Sequence, residues 1–73
     1  MPSIDVKSEI TGKVWKIEAA VGQAVAEEEP IIILESMKME ILVLAPGAGK
    51  VKEILVAEGD SVTEGQKVAI LEG

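Results

Sequence analysis

Short apolar runs separated by turn residues recur along the whole chain, and none of them keeps a helical period. The pairs Ile4–Val6 and Ile41–Val43 indicate extended segments, and the compact runs at 31–34 and 68–71 are typical of buried strands. Glycine-containing segments lie between the runs, where a left-handed backbone is easily reached. The pattern predicts strands of about five residues and no helix.

The same pattern occurs twice along the chain. A shift of 37 positions aligns 13 identical residues among 36 overlapping pairs. In the first copy these are Ile4, Val6, Gly12, Lys13, Val14, Ile17, Ala20, Gly22, Val25, Glu27, Ile33, Leu34 and Glu35. A repeat of this period predicts two copies of one structural unit, at about 1–36 and 38–73, within a single domain that spans 1–73.

Each copy has the same predicted local features. Val14 and Ile17 are three residues apart, as are Val51 and Ile54, and this spacing breaks strict alternation and predicts a β-bulge. Turns are predicted at 20–23, 58–61 and 64–66, with very short strands around Val25 and Val62. In the first copy Pro30 follows a segment that has no turn glycine, so its turn is left unassigned.

One copy has a single apolar face and cannot bury it alone. We therefore expect an all-β fold, a flattened barrel or sandwich, in which the two copies pack face to face around a pseudo-two-fold axis. The chain is 48% apolar but only 1% aromatic, so Val, Ile, Leu and Ala must form its core.

Composition excludes several classes of function. Cysteine and histidine are absent, which removes disulfides, thiolate metal sites and Ser–His or Cys–His dyads. The net charge is −6, with 7 basic against 13 acidic residues, and this balance argues against nucleic-acid binding. No apolar stretch approaches bilayer length and no signal peptide is visible, so we expect no membrane partner and a cytoplasmic location.

The junction between the copies has no counterpart in the repeat. Lys38 aligns with Met1, and Met37 aligns with nothing, whereas Glu35 recurs as Glu72 and can equally be a charged strand end. Met37-Lys38 is the predicted centre of a tight hairpin between two strands. Met37 and Met39 could be adaptable core fillers, but a symmetric pair around an unrepeated lysine favours a functional role.

The neighbours of Lys38 limit its chemistry. A catalytic amine needs burial or a second cation beside it, whereas Lys38 is flanked by the carboxylates of Glu35 and Glu40, so a Schiff-base role is disfavoured. An acylation target needs only an exposed amine on a protruding turn. The long lysine stem then becomes part of a flexible tether, which suits a carrier.

The run Glu35-Ser36-Met37-Lys38-Met39-Glu40 resembles the Glu-(Ala/Ser)-Met-Lys-Met signature of biotinyl (biotin carboxyl carrier) domains. The resemblance covers nearly the whole chain, including the segments 12–15, 21–25, 45–46, 49–51 and 58–66. It implies a flattened barrel of two four-stranded antiparallel sheets with quasi-two-fold symmetry. The target lysine is then expected on a hairpin at the end opposite the termini.

The same resemblance implies a mechanism. Biotin protein ligase would join biotin to the side-chain amine of Lys38. A biotin carboxylase would then carboxylate the bound biotin, and the domain would carry carboxybiotin to a carboxyltransferase, as in an acetyl-CoA carboxylase of fatty acid biosynthesis. Met37, Met39, Glu35, Ser36 and Glu40 would serve ligase recognition and carboxyl transfer. The domain itself would be a non-catalytic, monomeric subunit of a multi-component carboxylase.

Three departures from the family pattern stand out. Ser36 replaces the commoner Ala, an Ala-Pro pair is missing from 8–11, and Pro30 stands near the usual Gly. The thumb insertion and the Ala/Pro-rich linker of some relatives are also absent, so the chain resembles either a compact, stand-alone attachment protein or a domain of a larger enzyme, and Met1 without linker residues favours the former.

Two other functions are compatible with this fold class. A lipoyl carrier of 2-oxo acid dehydrogenases or glycine cleavage shares the hairpin lysine, but it usually has Asp-Lys-Ala there. An unmodified β-sandwich adaptor, like the hybrid domains of efflux membrane-fusion proteins, leaves Met37 and Met39 unexplained.

Overall fold

The computed structural model describes residues 3–73, which form eight β-strands and no helix. The strands are β1 (Ser3–Lys7), β2 (Gly12–Ile17), β3 (Ala24–Val25), β4 (Pro30–Ser36), β5 (Met39–Leu44), β6 (Gly49–Ile54), β7 (Ser61–Val62) and β8 (Lys67–Glu72). They form two four-stranded antiparallel sheets, so the predicted fold class is confirmed. Within residues 3–73 there is accordingly no helix long and apolar enough to cross a membrane.

The two sheets share strands from both copies. One sheet has the order β1-β8-β6-β3, and the other has the order β5-β4-β2-β7. A shift of 37 residues converts the first order into the second, which is the expected quasi-two-fold symmetry. The expectation that the copies pack face to face is wrong in one respect, because each sheet contains two strands of each copy. Interleaving satisfies backbone hydrogen bonds between the copies as well as burying their apolar faces.

The predicted bulges are present at equivalent positions. The register of β2 with β4 shifts between Val14 and Lys16, and that of β6 with β8 shifts between Val51 and Glu53. An extra residue in one strand disrupts the ladder and increases its twist. Trp15 is therefore the extra residue of the β2 bulge.

The core between the sheets is aliphatic and repeats with the same period. Its buried side chains include Val6, Val14, Val25, Ile31, Ile32 and Leu34 from the first copy and Val43, Val51, Val62, Val68, Ala69 and Leu71 from the second. Burial of each Val, Leu or Ile side chain contributes about 1.5–3 kcal/mol. With such small side chains, the stability comes from many contacts rather than from a few large anchors.

Four turns share one hydrogen-bonding scheme. They span 20–23, 26–29, 57–60 and 63–66, and in each the last side chain accepts a hydrogen bond from the first backbone N–H, at 2.9–3.1 Å. The predicted turn at 20–23 is confirmed, and the one predicted at 58–61 begins one residue earlier, at Ala57. The unassigned turn of the first copy is 26–29, where Glu28 takes the left-handed position that Gly65 occupies in the second copy.

Candidate functional site

The junction between the copies forms a two-residue hairpin. Ser36 at the end of β4 pairs with Met39 at the start of β5, and Met37 and Lys38 connect them. Their φ angles are 52° and 65°, so both are left-handed, as a type I′ turn requires. The prediction that Met37-Lys38 is the centre of a tight hairpin is therefore confirmed.

The backbone of this hairpin is strained. Type I′ turns normally use Asn-Gly or a similar pair, because L-residues with larger side chains resist positive φ. Three non-glycine residues have positive φ within residues 3–73, and two of them are Met37 and Lys38. Strain of this kind persists where the surrounding structure enforces it, and it clusters at functional sites. The turn at Met37-Lys38 was predicted, but its left-handed backbone was not. The signal for it was the length of the loop, because two-residue hairpin loops favour turns with positive φ.

The two methionines beside Lys38 are exposed. Met37 keeps 91% of its surface accessible and Met39 keeps 60%, and Lys38 is exposed as well. The alternative that the methionines fill the core is therefore wrong. Two large apolar side chains lie in water on either side of an exposed amine, at the tip of the β4–β5 hairpin. Such an arrangement suits contact with another protein.

Carboxylates flank the hairpin below its tip. Glu35 and Glu40 face each other across β4 and β5, and both are exposed, whereas Ser36 is half-buried. The ion pairs among residues 3–73 are Lys16–Glu18, at 3.9 Å, and Lys67–Asp5, at 3.4 Å. Neither involves the hairpin, so Lys38 is not engaged in an intramolecular ion pair of the described chain. Its amine is available to an external enzyme.

A groove near the hairpin contains Trp15, which was noted in the sequence only as part of the segment 12–15 that resembles the family. Lys13, Val14, Trp15, Glu35 and Gly59 line this groove on the face of the β5-β4-β2-β7 sheet. Trp15 is the single aromatic residue of the chain and is 52% exposed. The signal that could have identified it is the repeat, because the equivalent position in the second copy is Lys52.

An exposed amine in a two-residue hairpin turn meets the requirements of an acylation target. Across residues 3–73 no group of three or more His, Cys, Asp and Glu side chains comes together as a metal-binding cluster. The reactive group of the hairpin is the primary amine of Lys38, at the end of a four-carbon stem. A carboxylic acid could be joined to this amine as an amide.

Comparison with known proteins matches this description. Residues 1–71 match the Biotin_lipoyl family model, described as "Biotin-requiring enzyme". The chain is 42% identical to the biotin/lipoyl attachment protein of Bacillus subtilis over 60 residues, which are 82% of each chain. It is 37% identical to the biotinylated protein TB7.3 homolog of Mycobacterium leprae, over 92% of this chain and 94% of that one.

Among solved structures, the crystal structure of the Kluyveromyces lactis urea carboxylase superposes with a TM-score of 0.93 at 42% identity over 99% of this chain. The chain spans only 4–7% of the large carboxylases and urea amidolyases that it matches. At the level of the family, the predicted cofactor, covalently bound biotin, is confirmed. The chain belongs to the biotin/lipoyl attachment family, and it is a biotin carrier domain of the kind found in biotin-dependent carboxylases.

Proposed function

We propose that Lys38 is the biotin attachment site and that the domain carries carboxyl groups from a biotin carboxylase to a carboxyltransferase. The observation that supports this most directly is the left-handed Met37-Lys38 turn, which displays one amine between two exposed methionines. When bound, biotin supplies a ureido nitrogen that accepts and releases a carboxyl group. The protein's own residues present the amine, recognise the modifying enzyme and tether the group.

The side chain of Lys38 would serve as the tether for the attached group. Because the lysine stem is flexible while the hairpin below it is held by the β4–β5 ladder, the attached group can move without movement of the domain. Linkage also replaces free diffusion with a high effective concentration at each active site that the arm can reach.

The methionines supply apolar contact area for the ligase and the carboxylase components. Both side chains are unbranched and adaptable, so one pair can fit several partner surfaces. Glu35 and Glu40 add negative charge below the tip, which favours partners with a basic rim. Ser36 lies at the closing pair of the hairpin and is half-buried, so its accessible part can add a small polar contact to the same surface.

The carboxyl acceptor is selected by the carboxyltransferase. Relatives of this chain are named as urea, pyruvate and long-chain acyl-CoA carboxylases. We assign the domain to a multi-component, acetyl-CoA carboxylase-like system, because two of its relatives are small proteins that it matches over 82% and 94% of their length, and one structural neighbour is an acyl-CoA carboxylase. An acceptor assay with the partner carboxyltransferase should therefore compare acetyl-CoA with urea and pyruvate, and preference for either of the latter would refute this assignment.

The attachment site is tested by intact mass after co-expression with biotin protein ligase. We expect a single biotinyl increment, abolished in Lys38→Arg and retained in the matched control Lys52→Arg, which changes an exposed lysine of the second copy. Co-expression with lipoate protein ligase should leave the mass unchanged. A lipoyl increment, or a biotinyl increment that survives Lys38→Arg, would contradict the proposal.

A further inference from the structure

We propose that the groove lined by Lys13, Trp15, Glu35 and Gly59 is a resting site for the fused ring system of biotin attached to Lys38. This inference rests on the proposed function and adds a second contact between the cofactor and the chain. Between visits to its partner enzymes, the ring would lie on the indole instead of in water.

The fold does not account for the exposure of Trp15. It is the only aromatic residue of the chain, and 52% of its surface is accessible, while the core is filled by small aliphatic side chains. The equivalent bulge position in the second copy is Lys52, which the same local backbone accommodates. An exposed indole is therefore not a requirement of the bulge, and a ligand-binding role explains it.

The groove lies within reach of the tethered ring. Lys13 pairs with Glu35 across β2 and β4, and Glu35 is three residues before Lys38. With strands about 4.8 Å apart and a rise of about 3.3 Å per residue, the backbone of Trp15 lies roughly 15 Å from that of Lys38. About eleven single bonds join the lysine backbone to the fused ring and extend roughly 14 Å. The indole itself projects from the backbone, so the arm can bring the ring onto it.

The side chains of the groove match the chemistry of the ring. The face of the indole offers an apolar surface for the fused bicyclic skeleton. The Lys13 ammonium can donate a hydrogen bond to the ureido carbonyl, and the Glu35 carboxylate can accept one from a ureido N–H. Neither Lys13 nor Glu35 takes part in the ion pairs found among residues 3–73, so both are available.

The internal repeat provides a matched control. The equivalent surface at the other end of the molecule has Lys50, Lys52, Glu72 and Gly22, with lysine in place of tryptophan. The double variant Trp15→Lys, Lys52→Trp moves the only indole of the chain to that end without changing its composition. Both positions are exposed bulge residues, so we expect the swapped chain to fold, and its circular dichroism checks this.

The test uses the fluorescence of this single tryptophan in unmodified and biotinylated protein, with the extent of modification read by intact mass. Biotinylation should shift the emission to shorter wavelength and lower the acrylamide quenching constant about twofold, because the ring covers one face of the indole. The swapped variant, biotinylated to the same extent, should show neither change.

The outcomes distinguish failure of the resting site from failure of the proposed carrier function. Unchanged quenching in fully biotinylated protein would overturn the resting site and leave the carrier function intact. Equal protection in the swapped variant would also overturn it, because the effect would not depend on position 15. A chain that accepts no biotin would overturn the proposed function and this inference together.

Discussion

A Cβ atom on Gly12 would lie 2.8 Å from the carbonyl oxygen of Glu35, so only glycine allows β2 to approach the base of the hairpin this closely. The repeat contains the same relationship at its other end, where a Cβ on Gly49 would lie 2.8 Å from the carbonyl oxygen of Glu72. The two glycines therefore have the same structural role, but only Gly12 lies next to the candidate site.

Gly12→Ala should destabilise the domain by about 1–3 kcal/mol, because the added methyl group must displace backbone. It should also slow biotinylation, since the displaced backbone belongs to Glu35. Gly49→Ala should cost a similar free energy of unfolding without affecting the rate. Urea denaturation and the kcat/KM of the ligase measure the two effects. Equal loss of kcat/KM in both variants would show that general destabilisation, rather than hairpin position, controls modification.

Glu28 provides a second test, which is independent of the hairpin. Its φ is 69°, whereas the equivalent residue in the second copy is Gly65, at 85°. Glu28→Gly should raise the free energy of unfolding by about 0.5–1 kcal/mol, because relief of the left-handed strain exceeds the entropy cost of glycine. The corresponding rise in melting temperature is about 2–8 °C.

A charge control separates strain from electrostatics at this position. Glu28→Gln removes the carboxylate from the run 27–29 but keeps the strained backbone. It should therefore raise the free energy of unfolding much less than Glu28→Gly does. The converse change, Gly65→Ala, should destabilise by about 1–2 kcal/mol through backbone strain alone, because an added Cβ would meet nothing within 4 Å. If Glu28→Gln matched Glu28→Gly in thermal denaturation, repulsion within the run would be the cause.

The repeat made much of the fold predictable. Residues that recur, such as Val14 with Val51, are core positions in both copies, and their three-residue spacing from Ile17 and Ile54 correctly indicated bulges. The interleaving of the copies was not predictable in the same way. A repeat specifies equivalent strands, but the pairing partner of each strand depends on contacts between residues far apart in the sequence.

The candidate site, too, has features that could be predicted from the sequence and features that could not. The hairpin at Met37-Lys38 followed from two strands with no room for a longer loop. The left-handed pair of residues did not, because Met and Lys are poor turn formers and propensity gave no reason to expect them there. The groove at Trp15 depends on the register of β2 with β4, which places Lys13 opposite Glu35 and cannot be read from local patterns.

Replacement of Met37 should separate stability from function. At φ 52° and 91% exposed, Met37 has backbone strain and no burial to offset it. Met37→Gly should therefore stabilise the domain by about 0.5–1 kcal/mol while lowering the kcat/KM of biotinylation, because the apolar contact with the ligase is lost. Thermal denaturation and single-turnover biotinylation give the two values. A destabilised variant would indicate that the side chain supports the hairpin.

Met39 should behave differently, because it begins β5 and is only partly covered. With 60% of its surface accessible, Met39→Ala should cost less than about 1 kcal/mol, whereas Leu34→Ala, which empties a fully buried position, should cost about 2–5 kcal/mol. Biotinylated Met39→Ala should nevertheless transfer carboxyl groups more slowly in an assay with the partner carboxylase and carboxyltransferase, since it lacks apolar area beside the tether. Full transfer activity would remove Met39 from the functional surface. A stability loss close to that of Leu34→Ala would make it a core residue despite its exposure.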